Sequence, residues 1–560
     1  MKSFKRSYYI VFILSTLLLT ACEDLTELNQ NPNGVEPSTV NPNLVISTVM
    51  TSFGKDVVTT GYNGGVAGVV QQLQKDSWSG GFNNYKWDES DWSTYYSMLR
   101  NNKLAYNRSV ELGLEFHQGV CLVMKSMIYA KITDFWGDAP YTNAVKGDEG
   151  SEEYLKPAYD SQEVIYKGII EDLKTAAALL SKDQGEYSMI NEDADIYYNG
   201  DPAKWQKLAN SLALRYYMRL SEKLPDYAKA GVEEMLSKPL ISSVDESCTM
   251  AYIGSSGEDS WPANTEQDAS GSDFNGLKPC TTLLYKLQSL NDPRIDVWFK
   301  PVQIPIKVSG QYDEKDIIVD GVRYLNVDSL DAGMKIFDPE TYKADKDAGY
   351  TLIDTNSVYV GIPPSVVGGE PYHYNLNPNP TQGGTNVHVS YLDDIFKSAD
   401  GELLKSRIMT YAEVCFLKAE AAIRGWGSDA EGNYNKGVEA SLEAWNVGDE
   451  YNDYIENEGV AFDGSLSQVM EQKWIASFTS ASEAWFDWRR TGYPAFETGP
   501  APERDRLPLR YYYGNDEKNI NGDNYQAAIS NLEETNFSLQ DGKDSPWSKM
   551  WVLQGTGNPW

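Results

Sequence analysis

Residues 408–426 read IMTYAEVCFLKAEAAIRGW, and this stretch decides the fold. Ile408, Ala412, Cys415, Phe416, Ala419, Ala422, Ile423 and Trp426 recur at steps of three and four, the spacing that lines one face of a helix. The small residues Ala412, Ala419 and Ala422 let a second helix approach that face closely. Gly425 and Gly427 interrupt the pattern, and 433–445 resumes it with Val438, Leu442 and Trp445. A helix, a glycine turn and a second helix make the unit of a tetratricopeptide-type hairpin.

The same signature recurs towards the N-terminus. Helices are predicted over 95–112, 118–135, 164–180 and 202–220, the last introduced by Asp201-Pro202, an N-cap followed by proline in the first turn. A strict repeat of about 34 residues is not present, so the expected fold is mainly α: degenerate tetratricopeptide-like hairpins with long irregular loops and a few short β-hairpins. Residues 242–400 are rich in Gly, Pro, Asn and Ser and read as a loop-rich insertion, where function is often carried. Within it, 317–319 and 322–325 flank Asp320-Gly321 as a small β-hairpin.

At the N-terminus, Lys2, Lys5 and Arg6 precede an apolar run from Tyr8 to Leu19, too short for a comfortable bilayer span of ~20 residues and suited to a secretory signal. The run closes on Leu19-Thr20-Ala21-Cys22, which resembles the lipobox of bacterial lipoproteins. Residues 1–21 are therefore expected to be a signal peptide and Cys22 a lipid anchor. Residues 22–43 form an acidic, Asn- and Pro-rich tether that buries too little apolar surface to order itself. Residues 44–560 form a single domain. Glu23-Asp24 resembles the signal that sends Bacteroidetes lipoproteins to the cell surface.

Composition excludes several functions. Acidic residues number 81 against 48 basic, a formal charge of −33; loss of the signal would take it to about −36. Such a field repels phosphate backbones, so nucleic acid is not an expected partner. His117, His373 and His388 are the only histidines and are too scattered for a zinc site. Cys121 and Cys415 read as core thiols, while a Cys248–Cys280 disulfide is conceivable in an oxidising compartment. Tyrosine is abundant, with 37 residues beside 15 Trp and 16 Phe, a bias suited both to core filling and to surfaces with one apolar face and one wet edge.

A series of motifs then becomes recognisable. Phe135-Trp136-Gly137-Asp138-Ala139-Pro140-Tyr141, Asn291-Asp292-Pro293-Arg294-Ile295 and Tyr411-Ala412-Glu413-Val414 with Lys418-Ala419-Glu420-Ala421 follow one another in order. They are succeeded by Glu471-Gln472-Lys473-Trp474, the run from Glu483 to Pro494 (EAWFDWRRTGYP), Arg506-Leu507-Pro508 and Asn524-Tyr525-Gln526-Ala527-Ala528. In this order they resemble the SusD/RagB family of outer-membrane nutrient-binding lipoproteins, in its second large branch. One departure is local: Leu509-Arg510-Tyr511 follows where the family often has Tyr-Pro. The resemblance implies a surface lipoprotein, anchored in the outer membrane by lipid, that captures an oligosaccharide for a partner TonB-dependent (SusC-like) transporter. A peptide ligand is the alternative within the family. The motifs themselves read as structural: Arg489 and Arg490 beside Glu483 and Asp487 are expected to tie helices together.

No nucleophile, metal or phosphate-loop motif is present, so the expectation is a binding protein and not an enzyme. Asp88, Glu89 and Asp91 lie between Trp87 and Trp92, which admits a surface glycoside hydrolase as the remote alternative, although Asp91 also suits a helix cap. The ligand candidates are Trp78, Asn83, Tyr85 and Trp87 in a Gly- and Asn-rich segment, where rings would stack on sugar C–H faces and amides would bond hydroxyls. Trp261, beside Asn264 and Phe274, forms a second group. No cofactor is expected; the acidic loop 191–201 could hold a structural calcium through oxygen ligands, without matching a calcium-loop pattern.

Overall fold

Ser161, Asp201, Thr410, Asp429 and Ser465 each turn a side-chain oxygen onto a backbone N–H of the first helical turn that follows, and these caps set where the main helices begin. The computed structural model describes residues 39–78, 80–327, 330, 333–366, 374–558 and 560. The signal, Cys22, most of the tether and His373 lie outside the described residues.

The helices of ten or more residues are α1 (Pro42–Gly61), α2 (Ser93–Glu111), α3 (Glu115–Trp136), α4 (Gln162–Leu179), α5 (Pro202–Arg219) and α6 (Pro225–Leu236), followed by α7 (Thr281–Leu290), α8 (Tyr411–Ile423), α9 (Ala430–Glu443), α10 (Leu466–Ala476) and α11 (Ala481–Thr491). From α1 to α6 each helix packs on the next, and α8 packs on α9 and α10. The mainly α architecture of helical hairpins is therefore as expected. At Gly437 a Cβ would come within 2.7 Å of the Phe416 ring, so the α8–α9 contact depends on a residue without a side chain. No helix among the described residues is long and apolar enough to cross a membrane.

Boundaries differ where a side chain's burial outweighs its local periodicity. Ile408 belongs to a strand, Lys405–Met409, antiparallel to Cys248–Ala251, and Trp445 lies just beyond α9 with its ring 3.9 Å from the Arg407 guanidinium. Helix α1 starts inside the stretch read as tether, and the Asn43 amide donates to the Met189 carbonyl at 2.9 Å.

The insertion carries short strands and two small apolar clusters of its own. Asp316–Val319 and Val322–Leu325 form the expected hairpin, with Ile306–Val308 added in parallel. One cluster gathers Val302, Tyr342, Leu352, Val360, Ile362 and Val389; the other gathers Ile306, Leu325 and Ile353. The conceivable disulfide is not formed: Cys248 and Cys280 are both free and buried. Cys248 lies in the strand opposite Met409, whereas Cys280 caps α7 with its thiol directed at Thr282.

Charge is buried between the helices. Arg294 is fully buried on Asp292 and also donates to Ser441. Arg490 reaches Glu420 and Asp487, as expected for a tie between helices. Arg489 instead donates to the carbonyls of Asp134 and Leu509, and Glu483 pairs with Arg219 and Arg215. The loop 191–201 is organised by Asp195, whose carboxylate accepts from the backbone of Tyr197, Tyr198 and Gly200 and from the Trp205 indole. Among the described residues no cluster of three or more acids, cysteines or histidines forms a metal site.

Candidate functional site

Three of the five ligand candidates are core residues. Trp261 is 0% exposed, enclosed by Tyr62, Tyr252 and Phe396 at centroid distances of 5.1, 5.4 and 6.1 Å. Tyr85 is likewise fully buried, in a left-handed conformation that ends the short helix Gly81–Asn84. Asn83 is buried because its amide clamps a strand end, accepting from the Lys75 N–H at 2.8 Å and donating to the carbonyls of Lys75 and Trp78. Asn264 and Phe274 are buried too. A side chain whose surface is already covered by its own fold offers no face to a ligand, so these assignments are corrected. The Gly-rich setting misled, because glycine here permits close backbone packing rather than an open loop.

Trp78 and Trp87 remain half-buried. The Lys75 ammonium lies 4.8 Å from the Trp78 ring, and Trp87 sits edge-on to Trp485 and Tyr511 at 5.3 and 4.9 Å. Of the acidic trio, Asp91 uses both carboxylate oxygens on Ser93. Glu89 pairs with Lys518, and its own backbone N–H holds its carboxyl below the usual range. A glycosidase acid needs the opposite shift, so Glu89 does not suit that role.

A different group of residues builds the open site. A cavity of about 810 Å³ lies between α7, the segment 337–343 and the loop 495–499. Its volume falls in the range of small-molecule sites, ~300–1,000 Å³. One wall is a row of three rings: Phe337 stands between Tyr285 (6.1 Å) and Tyr342 (5.5 Å). Tyr285 is fixed by donating its hydroxyl to Asp354; burial raises the Asp354 carboxyl, and burial together with Asp354 keeps the Tyr285 phenol protonated. Phe337 follows the strand Met334–Ile336 and donates its N–H to the Ile353 carbonyl at 2.8 Å.

The rest of the lining is tied together by polar contacts. Gln71, buried and left-handed, accepts from the Thr282 hydroxyl at 2.6 Å and donates to the Glu497 carbonyl. Pro364 is brought in because Ile362 bonds the backbone of Pro279 and Thr281 at the start of α7. Gly499, at φ +74°, approaches so closely that a Cβ would sit 2.2 Å from the Pro364 carbonyl oxygen. The cations at the rim are engaged, Lys286 with Glu471 and Lys343 with Asp505. Half-buried rings lining a cavity whose lysines are paired suit an uncharged ligand with apolar C–H faces. Sequence reading located the insertion but not these residues, because Phe337 and Tyr342 carry no periodicity and Gln71 carries no local signal at all.

Comparison with known proteins places the scaffold. Among functionally curated proteins, none is similar enough to this chain to count as a relative. Solved structures are more informative. A chitin-binding protein shares 24% identity with a TM-score of 0.68, covering 91% of this chain and 99% of its own. A SusD homologue from Bacteroides fragilis has 21% identity and a TM-score of 0.66, covering 92% and 99%. A SusD/RagB family protein from Bacteroides thetaiotaomicron has 20% identity and a TM-score of 0.65, covering 93% and 100%. At these identities the likeness shows the fold. The family model described as starch-binding and associating with the outer membrane matches residues 32–336 and 367–514, leaving between them residues 337–366, which supply Phe337, Tyr342 and Pro364 to the cavity. With most of its length matched by that model, the chain belongs to the SusD-like family of outer-membrane nutrient-binding proteins.

Proposed function

We propose that this chain is a cell-surface lipoprotein that captures a neutral oligosaccharide in the cavity walled by Tyr285, Phe337 and Tyr342 and passes it to a TonB-dependent outer-membrane transporter. The observation that carries the reading is the pair of half-buried rings Tyr285 and Phe337, 6.1 Å apart, in the lining of a cavity of about 810 Å³. The C–H faces of sugar rings stack on such side chains. Family membership supports a nutrient-binding role, and the name of one structural neighbour, a chitin-binding protein, supports a glycan. Because Phe337 and Tyr342 lie between the stretches matched by the family model, they are the residues expected to set which glycan is taken. The half-buried Trp78 and Trp87 are the remaining sequence-derived contacts, and Cys22 is the lipid anchor.

Calorimetric titration of the purified chain with maltohexaose, chitohexaose and a mixed peptide digest tests the ligand class. Binding of one oligosaccharide, weakened in Phe337→Ala, is the expected result. Binding of peptide with neither oligosaccharide would move the assignment to the peptide alternative. Mild detergent extraction of the native, anchored protein should bring down a β-barrel transporter; recovery of the chain alone would count against delivery to one.

A further inference from the structure

A second cavity, of about 560 Å³, shares no lining residue with the first. It lies among the start of α2, the turn after α3 and the helix Asn515–Ile520. Its apolar surface is of two kinds. Trp92 and Tyr96 pack edge to face at 5.6 Å, while Leu155 and Ile520 project at the rim, 63% and 62% exposed. Both aliphatic side chains line the cavity and leave apolar area free to cover a stem.

The polar lining is one-sided. Glu89, Asp91, Asp516 and Glu517 face a single guanidinium, Arg100, which donates to the Ser97 hydroxyl at 2.8 Å. Glu517 is half-buried and held by two neutral donors, the Trp92 indole at 3.2 Å and the Tyr159 hydroxyl. Asp91 is held by the backbone and hydroxyl of Ser93 at 2.7 and 2.6 Å. These donors fix the carboxylates in place without neutralising them. Among the described residues, only Glu89 of the four forms an ion pair, with Lys518 at 3.5 Å. An anion is repelled here, and a neutral sugar leaves the charge uncompensated. A cation on an apolar stem answers both surfaces, since the head meets preoriented carboxylates and the stem covers apolar area. The net charge of −33 draws cations to the molecule from a distance.

We propose that this cavity binds an organic cation, a primary ammonium or guanidinium on a short aliphatic stem, with its head at Glu517 and Asp516 and its stem against Leu155, Ile520 and Trp92. Such a head belongs either to a free amine or to a lysine or arginine side chain of a peptide. The site is independent of the oligosaccharide cavity, and its test is separate.

Agmatine, the blocked tripeptide acetyl-Gly-Arg-Gly-amide and uncharged 1,5-pentanediol are titrated by calorimetry into the full chain in detergent. At least one cationic probe is expected to bind, with pentanediol inert. Agmatine alone identifies a free amine, and the peptide alone identifies a chain-borne side chain. Glu517→Gln, which keeps an acceptor for the Trp92 indole and presents an NH2 that the Tyr159 hydroxyl can accept from, and Asp516→Asn, at an exposed position, should each weaken that binding about tenfold or more. Both should leave thermal melting and oligosaccharide binding unchanged. Two charge variants keep the test open if one of them melts early. The proposal is overturned if neither cationic probe binds, if pentanediol binds equally, or if both variants retain full affinity.

Discussion

Arg490 on α11 and Glu420 on α8, seventy residues apart, meet through two parallel contacts, one of them 2.8 Å between Nη2 and Oε2, with both side chains buried. Removing one member of such a pair leaves a charge in the core, at a cost of about 3–5 kcal/mol. Arg490→Met should lower stability by that order in chemical denaturation. The double variant Arg490→Met/Glu420→Leu should recover part of the loss, because no lone carboxylate then remains. A single-variant loss below about 1 kcal/mol would show that the pair does not tie these helices together.

Stability should fall with acid in a defined window. Burial pushes the Glu483 carboxyl up, but Arg215, Arg219 and Lys131 outweigh it and hold the group at about 2. Burial likewise opposes the ionisation of Asp487 and Glu420, whose cationic neighbours, Lys473 with Arg490 and Arg490 with Arg424, hold them below the usual carboxylate range. An acid depressed in the folded state contributes stability that is complete above its unfolded value, about 4.3 for Glu, and is lost as pH falls towards the folded value. Burial raises Asp56 and Asp134, which act with the opposite sign and soften the slope. The melting temperature should therefore hold from neutrality to about pH 5 and drop between about 4.5 and 2. An unchanged melt at pH 3 would contradict the ion-paired state of this core.

Trp78 and Trp261, which the sequence places in two separate candidate groups, should behave unlike each other. Trp261 is enclosed on all sides, so Trp261→Ala should cost about 3–5 kcal/mol through the cavity it leaves. Trp78 is half-buried beside Lys75, and Trp78→Ala should cost about 1 kcal/mol or less. Equal losses in denaturant titrations of the two variants would contradict this division.

That contrast explains what the sequence made legible. Helix α5 is announced locally, by Asp201 and Pro202 at its start, and α8 by its stripe of small and apolar residues, so the hairpins follow from short-range pattern. Burial is a long-range property. Nothing near Trp261 in sequence announces that Tyr62 and Phe396 will close over it. Gln71 reaches the candidate site only because Thr282 and Glu497 come to it from distant parts of the chain. The motif residues were legible for the opposite reason: buried charges such as Arg294 on Asp292 constrain their neighbours tightly enough to leave a recognisable string.

The anchor makes a separate prediction. Leu19-Thr20-Ala21-Cys22 ends the apolar leader, and a single acylated cysteine would hold the body to the outer membrane. Cys22→Ser should move the protein from the membrane fraction to the soluble fraction on cell fractionation. In intact cells carrying the wild-type chain, added protease should digest the body. Retention of the variant on membranes would remove the lipid anchor, whereas protection of the wild type would remove only the surface placement.

Within the ring row, Phe337 is where ligand affinity should be most sensitive and folding least. Phe337 is half-buried and lies between the two stretches matched by the family model, and its partners Tyr285 and Tyr342 are each held by their own contacts. A stacked aromatic contributes ~0.5–1.5 kcal/mol beyond its area. Phe337→Ala should therefore weaken oligosaccharide binding by about two- to twelvefold, or more as covered area is lost, since ~1.4 kcal/mol is a factor of ten. Gly499→Ala provides the complementary perturbation. Its Cβ would collide with the Pro364 carbonyl in a left-handed turn, a strain of about 1–3 kcal/mol that would shift the loop 495–499 and with it the Glu497 carbonyl that holds Gln71. Both variants should bind more weakly, but only Gly499→Ala should melt earlier. If Phe337→Ala binds the oligosaccharide as tightly as the parent, the ligand lies elsewhere, and Trp78 and Trp87 become the next rings to remove.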